Sequence, residues 1–193
     1  MLYAKGEKMK EISLKVKTLI IDEENPNLIA EELERLLISA MKDEIDESEI
    51  IDALGGYATD EIELCTEAFI GTNESGQIEI SYMENEDDEQ LRTLSKIIFH
   101  PAAPSLLIMS KEGAISTVLS FEEGKTHICA YDTPFMPFKV YVTTKKLDNR
   151  LLDRGIIKLD YVLNINDTKP QHFIITVSAK EVSQDMLEEI FKK

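Results

Sequence analysis

Strict alternation of apolar and polar positions dominates the chain. Over residues 138–144, Phe138, Val140, Val142 and Thr144 share one side, and Lys139, Tyr141, Thr143 and Lys145 share the other. Successive side chains of a strand point to opposite faces, so this spacing predicts a strand with one buried and one wet face. The same period recurs at Ile12/Leu14/Val16/Thr18/Ile20, at Ile62/Leu64/Thr66/Ala68/Ile70, at Ile157/Leu159/Tyr161/Leu163/Ile165 and at Phe173/Ile175/Val177/Ala179. Phe138, Val140, Val142, Leu159, Tyr161, Leu163, Phe173, Ile175 and Val177 are expected to share one core. Polar turns such as Asn73-Glu74-Ser75-Gly76 and Glu122-Glu123-Gly124 separate about nine strands, which predicts a closed antiparallel barrel or a sandwich. Strands and helices do not alternate after residue 60, which argues against a parallel α/β sheet.

Two stretches change period. Asn25 and Pro26 suit a helix cap and first position, and Ile29, Leu33, Leu36, Leu37 and Met41 follow at helical spacing. Gly55-Gly56 reads as the stop. At the other end Ser183 can cap 184–192, with Met186, Leu187, Ile190 and Phe191 as an apolar stripe. One barrel domain over 10–181 is therefore expected, interrupted by a helical insert at 26–56, with a C-terminal helix over 182–193 packed on it. Pro134 and Pro137 lack amide donors, so a bent connection across Asp132-Thr133-Pro134 is expected between the runs 126–131 and 138–144. Residues 145–154 read as a polar segment.

Charge narrows the partners. The net −16 is concentrated in residues 1–100, with 25 Asp/Glu against 9 Lys/Arg, while 101–193 is balanced at 12 of each. An acidic half and no basic stripe argue against nucleic acid and anionic membrane surfaces. A chain of 193 residues buries roughly 70% of its unfolded surface, so it needs no disulfide or structural metal. Cys65 and Cys129 sit inside strand-like runs and are expected as buried free thiols. No apolar stretch approaches the ~18 residues of a membrane helix, and the first ten residues lack the apolar segment of a signal peptide. A cytoplasmic location is the expectation.

Candidate chemistry is sparse. His127-x-Cys129 puts two potential ligands on one strand face beside Tyr131, but a metal site needs a third, so strand packing is the preferred reading. The acidic run 84–89 lacks the glycine and the terminal glutamate of a calcium loop and reads as a solvated turn. No Gly-x-Ser-x-Gly elbow and no phosphate-binding glycine loop occur. The expectation is a protein that is not an enzyme and uses no metal or cofactor. Tyr131, Thr133 and Thr144 have two readings. Either their hydroxyls serve a barrel mouth, or Thr133-Pro134 fixes a turn that Tyr131 anchors.

From Glu61 onward the order of signals resembles an uncharacterised bacterial family with a calycin-like, or lipocalin-like, β-barrel. The residues that carry the likeness are Thr66-Glu67-Ala68, Ile80-Ser81-Tyr82, Phe121-Glu122-x-Gly124-Lys125-x-His127 and Tyr131-Asp132-Thr133-Pro134-Phe135. It continues through Phe138, Thr144-Lys145-Lys146-Leu147, Gly155, Leu159-x-Tyr161-x-Leu163 and Asn164-Ile165-Asn166. Three features depart from the family: the 26–56 segment after the first strand, Met136-Pro137 in place of glycine, and Asp87-Asp88-Glu89-Gln90 in place of a glycine-containing loop. The resemblance implies a fold and no activity.

Two classes of function follow. The first is non-catalytic binding of a small apolar ligand inside an eight-to-ten-stranded barrel, with Tyr131, Thr133, Phe138, Thr144 and Tyr161 at its mouth and lining. Its interior is expected to be apolar with few polar groups. The second is an interaction module with a filled barrel, meeting a second copy or another protein through Ile29, Leu33, Leu36, Leu37 and Met41.

Overall fold

A computed structural model describes residues 9–21, 58–88, 91–113, 116–132, 137–165 and 170–180, together with 182, 186 and 190. Among the described residues ten strands are formed: β1 (Lys10–Ile21), β2 (Ala58–Thr72), β3 (Ile78–Glu84), β4 (Thr93–His100), β5 (Ala103–Glu112), β6 (Ser116–Glu122), β7 (Thr126–Asp132), β8 (Pro137–Arg150), β9 (Ile156–Ile165) and β10 (Gln171–Lys180). Each pairs antiparallel with the next in sequence, and β10 returns to β1, so the sheet closes into a barrel rather than a sandwich. Closure removes the sheet's outermost edges.

The turns form where their chemistry asks for them. Asn73 Oδ1 accepts from the Ser75 and Gln77 amides, both at 3.0 Å, while Gly76 takes the left-handed conformation at φ 73°. A single glycine there reverses the chain between β2 and β3 without a Cβ penalty.

The alternating residues point inward as their spacing predicts. Val140, Val142, Leu159, Tyr161, Leu163, Ile175 and Val177 are buried in one core, and Phe173 packs against it half-buried. The lower end of the barrel is filled by Ile12, Ile70, Ile78, Phe99, Leu107 and Ile157. Leu151, fully buried on the one-turn helix α1 (Leu151–Arg154), closes that end. Gly155 then ends α1 at φ 70°, with its amide donating to the Leu151 carbonyl at 2.9 Å. Ile190 is buried against the same core, and both it and Met186 are helical.

Several expectations need correction. Residues 145–154 are not a polar linker: β8 runs unbroken to Arg150, followed by α1. A register shift between Thr144 and Lys146 explains the misreading. It moves the inward position from even to odd numbers, so Leu147 faces Leu159 and the alternation appears to end. Cys65 is exposed rather than buried, and only Cys129 is a buried thiol. Asp160, expected on the wet face, is almost wholly buried on the outside of the barrel. Its Oδ1 lies 2.5 Å from the Nε2 of the equally buried His172. A carboxylate enters such a place only with a partner to compensate its lost hydration. The helical expectation for 26–56, and for most of 182–193, falls outside the described residues.

Candidate functional site

The packing stops partway up the barrel. Rows of paired residues run round the inner wall, and Ile80, Ile97, Met109 and Leu119 form one of them. The next row upward is Tyr82, Ser95, Lys111, Thr117 and Tyr131. Here the aliphatic run gives way to hydroxyls and an ammonium. Opposite them, β1, β2 and β10 present Val16, Thr18, Ile20, Ile62, Leu64, Phe173 and Ile175. Between the two walls lies a cavity of about 360 Å³, with Met109, Leu119 and Phe121 below it. That volume falls within the range of small-molecule sites.

The cavity has a polar corner. Lys111 Nζ donates to Glu84 Oε2 at 2.7 Å, and Ser95 Oγ donates to Glu84 Oε1 at 2.7 Å. Tyr82 stands beside Ser95 in the same row and lines the cavity with Glu84. Burial first, and then the Glu84 charge, push the Tyr82 phenol well above its ordinary pKa. Tyr161 is raised mainly by burial, with Tyr131 adding to it. An aromatic wall stands beside the corner. Phe121 meets Tyr161 edge to face with centroids 4.9 Å apart, and Tyr161 stacks on Phe173 at 5.1 Å.

The wall parts next to this corner. Pairing of β2 with β3 is confined to residues 68–72 and 78–82, so among the described residues 58–67 of β2 pair only with β1. Ile62, half exposed, stands at the gap and also lines the cavity. On the outside of the same wall Thr66, Phe69, Ser81, Met83 and Leu94 border a groove of about 300 Å³, and Tyr82 lines both spaces.

The expected site residues are distributed unevenly. Tyr131 and Tyr161 line the cavity together. Thr144 is buried beside Tyr161 in the register and is not among the described lining residues, and its Oγ1 has no hydrogen-bond partner among the described residues. Thr133, the side chain of Phe138, and Ile29, Leu33, Leu36, Leu37 and Met41 lie outside the described residues. His127 faces the interior in the same alternation as Cys129 and comes within 3.9 Å of Glu122. Among the described residues no three His, Cys, Asp or Glu side chains come together as a metal site, and no helix is long and apolar enough to cross a membrane.

Sequence reasoning missed Glu84 and Lys111. Glu84 reads as the start of an acidic turn and Lys111 as the start of Lys111-Glu112-Gly113. Each instead continues a strand by one more inward step, Ile78-Ile80-Tyr82-Glu84 and Leu107-Met109-Lys111. The two-residue phase was the available signal. The interior near the mouth is therefore more polar than its aliphatic pattern predicts.

Residues 48–177 match the model of a domain of unknown function, DUF1934, and the chain belongs to that family. Its fold is similar to that of the ywiB protein from Bacillus subtilis, known from a crystal structure. The two share 16% identity over 89% of this chain and 94% of that one, at a TM-score of 0.54. No curated protein matches the chain. The chain is thus a closed antiparallel β-barrel of a family whose function is unknown.

Proposed function

We propose that this protein binds a small, largely apolar molecule in the open half of its barrel and does not transform it. The observation that carries the reading is the division of the interior into a close-packed lower half and a cavity of about 360 Å³ beside a parted wall. A protein built only as a scaffold gains by packing its interior throughout, because each unfilled space forfeits contacts. The reading takes the domain as calycin-like, supported by closed antiparallel order and, among the described residues, a largely apolar cavity inside the barrel. A ligand there gains roughly 25 cal/mol per Å² of apolar surface removed from water, before the costs of association. Glu84 is the carboxylate on the lining, and Lys111 and Ser95 occupy its two oxygens. It is thereby placed to hold the corner rigid rather than to accept a substrate proton.

Native mass spectrometry of protein purified from its own cells tests the reading. A retained small molecule, lost on denaturation, is the expected result. Protein that carries nothing and takes up no apolar probe would reject it.

A further inference from the structure

We infer that the ligand is an amphipathic carboxylic acid, its tail in the apolar half of the cavity and its carboxylate on Lys111. This rests on the binding role proposed above and adds the chemistry of the head group. An ammonium has three hydrogens to donate. Among the described residues Lys111 Nζ commits one of them, to Glu84, and its side chain remains about half exposed at 45%. Glu84 is in the opposite position. Both of its oxygens already accept, from Lys111 and Ser95. The corner has acceptors engaged and donors to spare.

Position agrees with this division. Lys111 sits between Ser95 and Thr117 in one row, with Met109 two residues deeper on the same strand face. A head group on Lys111 therefore has its tail directed past Met109 and Leu119 toward Phe121, with Phe173 and Ile175 on the far wall. Glu84 fixes the ammonium without closing it off, and Thr117 supplies a neighbouring hydroxyl. A carboxylate accepting from an ammonium makes a charge-assisted bond, stronger than a hydroxyl head could make there. At roughly 30 Å³ per water-sized group, the cavity takes about twelve heavy atoms, the size of a ten-carbon acid.

The test compares decanoate with decanol, which share a tail and differ in the head. Each displaces the uncharged fluorophore N-phenyl-1-naphthylamine from the full chain at about pH 8, where carboxylates are ionised. Decanoate is expected to displace the probe from the wild-type protein at about tenfold lower concentration than decanol, the scale of one charge-assisted hydrogen bond. Lys111→Met should bring that ratio to about one. Glu84→Gln, which frees the ammonium, should raise it. Equal potency on the wild type, or a ratio unchanged by Lys111→Met, would overturn the head-group assignment while leaving apolar binding intact. A wild-type protein that takes up neither the fluorophore nor either ligand would overturn the binding role itself.

Discussion

Lys111 on β5 reaches over β4 to Glu84 on β3, closing a 2.7 Å ion pair inside the barrel mouth. Ser95, on the strand between them, bonds the same carboxylate. Three adjacent strands are thus tied at one height, immediately above an aliphatic row. This tie marks the level at which the interior changes from packed core to cavity.

Phe121 supports the cavity floor. It is fully buried and meets Tyr161 edge to face, so Phe121→Ala removes both its buried area and that ring contact. A loss of about 3–5 kcal/mol in urea unfolding is expected. Phe173, only half-buried on the cavity wall, should cost less when truncated. Equal costs at the two positions would contradict the division into a filled and an open half.

Alkaline stability depends on Tyr82 and Tyr161, whose phenols are raised by burial. An unfolded tyrosine ionises near about 10, so above that pH the unfolded chain loses protons that the folded chain retains. The stability they contribute is complete below about pH 10 and is lost as the pH climbs through their higher folded-state values. Tyrosinate absorbance should show these two among the six tyrosines titrating late, and together with unfolding. Normal titration of all six in folded protein would show that the two are wetter than their burial implies.

Much of this architecture is legible in the sequence, and the failures share a cause. Alternation located the inward faces of β1, β9 and β10, whose pairing with one another runs without a register shift, but it left Leu19, Ile21 and Ile174, buried on the outer face, unmarked. It failed in β8, where the shift at Lys145 inverts the phase and disguises Leu147 as part of a polar segment. It failed again at Glu84 and Lys111, because a charged residue next to a turn is indistinguishable by type from the turn itself. Inward charge is accepted there because the two neutralise each other beside open space. Asp160 and His172 escaped for a related reason, since neither residue alone signals that it will be buried with the other.

Among the described glycines, Gly155 is the one the fold can least replace. Its left-handed φ of 70° disfavours a side chain, and an added Cβ would come within 2.4 Å of the Ala179 carbonyl oxygen on β10. Gly76 and Gly124 share the positive φ but face open space. Alanine at either of those sites should cost about 1–2 kcal/mol, the price of the left-handed conformation alone. Gly155→Ala should cost clearly more, and parity in thermal unfolding would mean that the β10 contact is easily relaxed.

Binding in the cavity is tested most directly by filling it. Met109→Trp puts an indole into the space above the packed row, and the uptake of N-phenyl-1-naphthylamine by the variant is compared with that of the wild type. The account predicts saturable uptake by the wild-type protein, its loss in Met109→Trp, and an unfolding midpoint changed little, because the ring occupies existing space rather than displacing core. Undiminished uptake by a folded Met109→Trp protein would place binding elsewhere and contradict the account.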